Sequence, residues 1–175
     1  MGAGVEIVRL GPGEARAAAG ELGEVLADCV AGGASVNFMH PYTADQGRAF
    51  FEGVADEVEH GAAALIVARL DGRLVGTVNL GLRMPPNQPH RAEVRKMLVL
   101  QAARGRGIGE ALLGEAERWA AELGRTLLVL DTVEGMAGER LYARGGWTRV
   151  GAIPGYALFP DGRPCATVVF YKELG

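Results

Sequence analysis

Three alternating glycines, flanked by arginines, mark the segment of this 175-residue chain that most directly suggests chemistry. The segment QAARGRGIGEALL spans residues 101–113 and carries Gly105, Gly107 and Gly109, with Arg104 before them and Arg106 between the first two. It follows an apolar run at 97–100 and opens a helical pattern, which indicates a strand-to-helix turn. Free backbone N–H groups at a helix start, together with the helix dipole, bind anions and phosphate above all. The segment therefore predicts a phosphate-binding loop.

Two common phosphate fingerprints do not fit this loop. Gly-x-Gly-x-x-Gly read from Gly105 meets Glu110 at its last position, and no Lys-Ser or Lys-Thr follows the glycines as a Walker A motif requires. The pattern that fits is Arg-x-x-Gly-x-Gly, formed by Arg104, Gly107 and Gly109. It resembles the acetyl-CoA pyrophosphate loop of the GNAT acyltransferase superfamily. A glycine-rich connector without a ligand is the alternative.

Hydrophobic periodicity and turn residues predict the elements that position this loop. Strands are predicted at 5–10, 62–70, 73–83, 91–100, 127–131, 147–153 and 165–174. Helices are predicted at 14–31, 43–60, 107–124 and 136–144. Asp71-Gly72 predicts a hairpin turn, and the segments 84–90 and 154–164 are predicted loops because prolines interrupt them.

The order of these elements resembles the GNAT fold. It implies an α/β (α+β) architecture with a mixed, mostly antiparallel seven-stranded sheet, splayed at its centre and flanked by about four helices, in a single domain 1–175. The stretches GGASVNFM, RAEVRKMLVLQAARGRGIG, LDTVEG, and TRVGAIPGY followed by PDGR resemble the tabtoxin-resistance acetyltransferases. Those enzymes acetylate an amino-acid-like β-lactam toxin. The resemblance implies transfer of acetyl from acetyl-CoA to an amine.

The resemblance also assigns the cofactor-binding residues. The backbone of the loop would hold the pyrophosphate, and the preceding strand would pair with pantetheine; these residues are Met97, Leu98, Val99, Arg104, Gly105, Arg106, Gly107, Ile108 and Gly109. The Met97 amide would face the acetyl carbonyl and stabilise its developing negative charge. The side chains of Arg104 and Arg106 could add positive charge, although exposed arginines are usually only solvated.

Tyr142 in RLYARGGW resembles the tyrosine of the family motif Leu-Tyr-x-x-x-Gly-Phe, with Trp147 in the last place. That tyrosine contacts CoA and donates a proton to the departing thiolate. A phenol with a pKa of about 10 is protonated at neutral pH and can serve a thiolate whose conjugate acid has a pKa of about 8.5. The alternative is an aromatic ring that only packs in the core. The family often has Asn seven residues earlier, where this chain has Gly135.

A base or a water relay must deprotonate the attacking amine. Glu93 lies four residues before Met97, so strand periodicity predicts that both side chains share a face. Some histone acetyltransferases of the superfamily carry a base glutamate at that spacing. Asp131 ends a predicted strand beside the expected opening of the sheet. Each has a plainer interpretation, since Glu93 could pair with a neighbouring arginine and Asp131 could cap a helix or be solvated.

The segment 32–42 fits neither a helix nor a strand and carries several polar and aromatic side chains. It could line an acceptor pocket or simply connect two helices. The candidate acceptor-binding residues are Asn37, His40, Tyr42 and Tyr156.

Composition excludes several functional classes. Apolar residues make up 49% of the chain, which is typical of a globular fold, and no apolar run approaches the roughly 18 residues of a membrane span. A net charge of −3 gives no reason to expect nucleic acid. Cys29 and Cys165 have no metal-ligand spacing, so no metal is predicted, and two free thiols suggest a cytoplasmic protein. Many arginines and glycines suggest a bacterial source.

The combined prediction is an N-acetyltransferase that transfers acetyl from acetyl-CoA to a small amine, either amino-acid-like or an antibiotic or toxin, by direct attack in a ternary complex. Neither cysteine has a histidine beside it, which disfavours a covalent acetyl-enzyme. One alternative is acetylation of a protein N-terminus or lysine. Another is an acyl-CoA-binding module without catalysis. The acceptor, the base, the length of the acyl group and the oligomeric state, including a possible homodimer, stay open.

Overall fold

The computed structural model describes residues 4–175, and over them the chain forms seven strands and four helices. The strands are β1 Val5–Leu10, β2 Ala63–Leu70, β3 Arg73–Gly81, β4 Arg91–Val99, β5 Leu127–Val133, β6 Thr148–Leu158 and β7 Pro164–Glu173. The helices are α1 Pro12–Ala31, α2 Ala44–Glu59, α3 Ile108–Glu122 and α4 Ala137–Arg144. The predicted order of elements is confirmed. Residues 1–3 of the predicted domain lie outside the described residues, and none of the described helices is long and apolar enough to cross a membrane.

All seven strands form one sheet in the order β1-β2-β3-β4-β5-β7-β6. Neighbouring strands are antiparallel except β4 and β5, which run parallel. This pair is joined only between residues 91–93 and 127–129, although both strands continue beyond that point. The sheet therefore opens between its central strands, which confirms the predicted mixed and splayed architecture.

Helices cover both faces of the sheet. The face that carries Leu65 and Val67 packs against α1 and α2, and we call it the α1/α2 face. The face that carries Ile66 packs against α3, and we call it the α3 face. Consecutive residues of β2 thus enter opposite cores, because side chains alternate along a strand. Both central hairpin strands are buried on both sides, which explains their nearly continuous apolar sequence.

A β-bulge in β4 changes the face that its later side chains occupy. The pairing with β3 passes from Asn79–Arg95 to Thr77–Leu98, so two steps on β3 match three on β4, and Lys96 between them has φ +50°. Val94 packs in the core of the α3 face, whereas Leu98 packs in the core of the α1/α2 face. Strict alternation would have placed these two residues on the same face.

Helices α1 and α2 cross at a pair of buried glycines, Gly23 and Gly47. A Cβ built on Gly23 would lie 2.6 Å from the Ala44 carbonyl oxygen, and one on Gly47 would lie 2.6 Å from the Gly23 carbonyl oxygen. The two backbones can approach this closely only because neither residue has a side chain.

The predicted loop 154–164 is wrong for its first half. Strand β6 continues through Pro154 to Leu158, with shifts of register against β7 between Ile153 and Ala157. Pro154 and Gly155 fall in this irregular stretch, where no ladder hydrogen bond from the proline nitrogen is needed. The predicted turn at Asp71-Gly72 is confirmed, with φ +51° and +81° at the two residues.

Candidate active site

The opening between β4 and β5 leads into a cavity of about 850 Å³. Gly107 and Tyr142 lie in its wall on the side of α3 and α4, and Asn37 and Tyr156 lie in its wall on the side of the α1–α2 connection. Asp131 of β5 lies between them. The cavity therefore extends from one side of the sheet to the other, and its size suits a small-molecule site.

The glycine segment forms the turn that enters α3. Gly105 and Gly107 have φ values of +76° and +75°, a region that strains residues with a side chain. The first hydrogen bond within the helix runs from the Ala111 amide to the Gly107 carbonyl at 3.0 Å, so the helix leaves the amides of 108–110 free. Gly109 has a different reason, because a Cβ there would lie 3.4 Å from Leu141 of α4. Free amides at the positive end of α3 have the arrangement that holds phosphate.

The two arginines of the loop differ in their contacts. Arg104 turns back towards β4, where its Nε donates to the Val99 carbonyl at 3.2 Å and one Nη lies 3.9 Å from the Cys29 sulfur. Arg106 is exposed, and no hydrogen bond or ion pair joins its side chain to any residue in the part of the chain that the structure describes. Arg104 therefore ties the loop to the end of β4, whereas Arg106 is available to an anion outside.

Tyr142 and Asp131 lie near each other in the cavity wall. The Tyr142 ring is 5% exposed and packs against Trp147 and Phe170, with ring centroids 5.7 and 5.9 Å away. Burial raises the pKa of Tyr142, and the negative charge of Asp131 raises it further. Asp131 accepts a hydrogen bond of 2.8 Å from Thr167 on β7. The phenol is thus held in its protonated form beside a fixed carboxylate.

A sequence profile of the acetyltransferase (GNAT) family matches residues 28–147, which is well over half of the chain. The matched stretch contains the open centre of the sheet, the glycine segment and Tyr142. This chain belongs to the acetyltransferase (GNAT) family. The family is that of N-acetyltransferases, so the predicted enzyme class is confirmed.

Solved structures of GNAT proteins share the fold over nearly the full chain. One, from Salmonella typhimurium, was determined with its cofactor acetyl-CoA; it is 20% identical, with 98% of this chain and 95% of that chain covered and a TM-score of 0.80. A ribosomal-protein-alanine N-acetyltransferase from Brucella melitensis is 22% identical, with coverages of 97% and 99% and a TM-score of 0.76. A protein assigned as a phosphinothricin N-acetyltransferase is 21% identical, with coverages of 98% and 99% and a TM-score of 0.76. At this identity the likeness establishes the fold alone.

The bulge at Lys96 makes one prediction about the GNAT site wrong. Met97 packs on the core of the α3 face, whereas Glu93 belongs to the segment before the bulge and points to the opposite face from its neighbour Val94. Glu93 and Met97 therefore do not share a face. Glu93 instead pairs with Arg91 at 2.9 Å, the plainer of its two interpretations. Met97 itself lies in the bulge, between the residue pairs Asn79–Arg95 and Thr77–Leu98 that β3 and β4 form.

The two segments that carry the predicted acceptor residues are hydrogen-bonded to each other. Ser35 Oγ donates to the Leu158 carbonyl at 2.7 Å, and the His40 amide donates to the Pro160 carbonyl at 3.1 Å. Of the four predicted acceptor residues, Asn37 and Tyr156 line the cavity, whereas His40 and Tyr42 are absent from its wall in the described part of the chain. Tyr42 stacks on Phe38 with ring centroids 4.5 Å apart.

Sequence reasoning missed Lys96, which lines the cavity beside Met97. A lysine in a predicted strand is typical of an exposed position, and no residue near position 96 predicts a bulge. One signal was present, since Lys96 and Lys172 are the only lysines in an arginine-rich chain. Gly135, the departure from the family's Asn, has φ +78° and donates its amide to Glu139 at 2.6 Å.

Proposed function

We propose that this GNAT enzyme transfers acetyl from acetyl-CoA to the primary amine of a small, amino-acid-like acceptor, by direct attack in a ternary complex. The observation that carries the proposal is the single cavity that joins the glycine turn, Tyr142 and Asp131 to the wall formed by Asn37 and Tyr156. Cofactor and acceptor would meet at the opening of the sheet, each reaching it from its own side. The likeness to tabtoxin-resistance acetyltransferases supports an amino-acid-like antibiotic or toxin among the candidate acceptors.

The residues present fit the cofactor. Its pyrophosphate would be held by the free amides that follow Gly107, with the dipole of α3 behind them and Arg106 as an exposed countercharge. The Met97 amide, which lies at the bulge of β4, would donate to the acetyl carbonyl as negative charge develops on its oxygen. When bound, the cofactor supplies an activated thioester, whose departing thiolate needs a proton.

Tyr142 is the proposed proton donor to that thiolate. Its hydroxyl belongs to a buried ring in the cavity wall, and burial together with Asp131 keeps the pKa of the phenol above its ordinary value. The raised pKa keeps the phenol protonated before the reaction and also makes it a weaker acid, so its first effect on the departing thiolate is a donated hydrogen bond that stabilises the negative charge on sulfur.

Asp131 is the proposed base that receives the proton of the amine. Glu93 and Asp131 both line the cavity, but Asp131 is favoured because Glu93 is paired with the positive charge of Arg91, whereas Asp131 is held by the neutral hydroxyl of Thr167. A water molecule that relays the proton to Asp131 would serve equally well.

Acetylation of a protein N-terminus is the second candidate, and the fold shared with the Brucella enzyme keeps it in view. A peptide needs an open groove. Here the hydrogen bonds from Ser35 and His40 to the β6–β7 hairpin join the two segments that border the acceptor side. This arrangement supports a small acceptor. A homodimer is supported by the outer edge of β6, where the side chain of Val150 is 65% exposed.

Thermal unfolding with and without acetyl-CoA tests the cofactor assignment, with NAD and ATP as controls. A ligand at 100 times its Kd stabilises a protein by about 2.7 kcal/mol. For a chain of this size we expect a rise of roughly 5–10 °C in Tm with acetyl-CoA alone. No shift at saturating acetyl-CoA would contradict the assignment. A thiol-release assay over a panel of small amines and N-terminal peptides then separates the two acceptor classes.

A further inference from the structure

The side chain of Lys96 leaves β4 at the bulge, where its backbone has φ +50°. A lysine with positive φ is uncommon, because the Cβ then crowds the backbone. Lys96 Nζ lies 5.7 Å from the centre of the Phe38 ring and 5.5 Å from that of Phe50. Phe50 belongs to α2, so the ammonium lies on the α1/α2 face, the side from which the acceptor would approach.

The ammonium of Lys96 has no anionic partner among residues 4–175. No hydrogen bond or ion pair joins Nζ to a described residue, whereas Nζ of Lys172 contacts Glu117 at 2.7 Å and the Gly145 carbonyl at 2.8 Å. Burial lowers the pKa of Lys96, nearby Arg95 lowers it further, and Asp131 opposes both. A half-buried ammonium without hydrogen bonds is unfavourable, and two aromatic rings offset only part of that cost.

The charged neighbours of Lys96 in the cavity already have partners. Arg95 pairs with Glu57 at 2.7 Å, Glu93 pairs with Arg91, and the Asp131 carboxylate accepts from Thr167. Lys96 is therefore a cation in the cavity wall whose three ammonium N–H donors are available to a bound acceptor. Asp131, close enough to raise its pKa, is a carboxylate at the same opening.

We propose that Lys96 binds an anionic group of the acceptor, in the first place a carboxylate, while Asp131 receives its amine. This inference rests on the proposed acetyl transfer. It narrows the acceptor to amines that also carry an anionic group, close enough to the amine nitrogen for Lys96 and Asp131 to contact both groups at once. A lysine is suited to this role, because its compact ammonium attracts carboxylate or phosphinate oxygens without a fixed fork geometry.

Matched acceptors test the inference. The panel contains L-amino acids of each side-chain class, and each is compared with its primary amide and with the amine that lacks the carboxyl carbon, using thiol release from acetyl-CoA. We expect kcat/KM for the best amino acid to exceed that of its amide by about 10- to 100-fold, the factor for one hydrogen bond to a charged group. The amine of the amide is less basic, so a larger fraction of it is uncharged and reactive at a given pH. Amine ionisation therefore favours the amide and cannot produce a preference for the acid.

Variants then assign the preference to Lys96. Lys96→Met keeps the length of the side chain and removes its charge, and we expect the ratio of kcat/KM for acid and amide to fall close to one. Lys96→Arg should retain part of the ratio. Lys172→Arg, at the other lysine, is the matched control and should leave the ratio unchanged. The inference would be overturned if Lys96→Met lowered kcat/KM equally for the acid and the amide. It would also be overturned if the substitution raised the KM of acetyl-CoA and left the KM of the acceptor unchanged.

A binding measurement separates this inference from the proposed function. Protein labelled with ¹³C-lysine should give two ε-methylene signals, since the chain has two lysines, and Lys96→Arg identifies the signal of Lys96. We expect amino acids, but not their amides, to shift that signal in the presence of CoA. If acetyl-CoA stabilises the protein and amines are acetylated while no carboxylate moves the signal, the inference fails and the acetyltransferase stands. If acetyl-CoA does not bind, the proposed function itself fails.

Discussion

Replacing Gly23 by alanine should destabilise the protein, although alanine is the better helix former. The added Cβ would lie 2.6 Å from the Ala44 carbonyl oxygen and closer still to the Arg48 amide nitrogen. Both are backbone atoms, so neither can rotate away as a side chain would. Relief requires α1 and α2 to separate by roughly 1 Å, since carbon atoms are in favourable contact only at about 3.5–4.0 Å.

The magnitude follows from two opposing effects. Overpacking of a close contact typically costs about 1–3 kcal/mol, and two backbone contacts place this site at the upper end. Exchanging glycine for alanine within a helix returns about 0.5–1 kcal/mol. The net loss is about 2 kcal/mol, which lowers Tm by roughly 4–8 °C for a chain of this length.

Urea unfolding followed by far-UV circular dichroism measures this difference, with Gly20→Ala as the control. Gly20 lies in the same helix and is exposed, and its added Cβ would meet nothing within 4 Å. Gly20→Ala should therefore raise the free energy of unfolding by about 0.5–1 kcal/mol. If both substitutions change stability in the same direction, the close approach of the helices is not what requires glycine at position 23.

Three further predictions concern the site. Tyr142→Phe keeps the packed ring but removes the proton donor, so we expect kcat to fall by about 100-fold or more while the Tm shift produced by acetyl-CoA is retained. Gly107→Ala places a side chain at φ +75°, which costs about 1–2 kcal/mol, and should weaken acetyl-CoA binding in calorimetric titration. Gly114→Ala in α3, the helix that follows Gly107, has open space around its added Cβ, and this variant should bind acetyl-CoA normally. Lys96→Met should raise Tm at neutral pH, because it removes an ammonium whose pKa burial lowers.

The pH dependence gives the last of these predictions a sign. The lowered pKa means that the unfolded chain holds this proton more tightly, so the stability of the native enzyme rises as pH passes from the folded pKa towards the ordinary value of 10.5. The advantage of Lys96→Met is therefore largest below the folded pKa and should shrink by pH 10. A gain in Tm for Lys96→Met that does not change with pH would contradict the assigned cause.

A Tyr142→Phe enzyme whose kcat is within a few-fold of the native value would show that Tyr142 takes no part in the chemistry.

Local signals explain which parts of the molecule could be predicted from the sequence. The glycine turn and its helix are encoded within a dozen residues, so both the loop and the start of α3 were predictable. The order of elements followed from hydrophobic periodicity. The apolar run of β5 revealed the strand, but only Leu128 and Leu130 are buried, because the later residues of the strand line the cavity.

Long-range pairing explains the rest. The bulge at Lys96 arises from the pairing with β3, which fixes the register of β4 on both sides of Lys96. A lysine at this position does not by itself predict a bulge. The error about Glu93 followed directly, since period-two reasoning assumes an unbroken strand. The contact between Gly23 and Gly47 joins two helices, and the continuation of β6 past Pro154 depends on β7. Such features become visible only when distant segments are placed side by side.

The outer edge of β6 also affects the tendency of the protein to aggregate. Within residues 4–175 this eleven-residue strand pairs with β7 alone, and along most of its other edge the backbone donors and acceptors are available to an extended chain, next to the apolar side chain of Val150. Pro154 and the irregular register around it interrupt that edge, which limits how far a foreign strand could extend along it. Substitutions that straighten β6 would therefore promote aggregation even where they leave the folded monomer unharmed. A lysine at position 150 would reduce that tendency, and this position lies on the edge strand, three strands away from β4, which leads into the glycine turn.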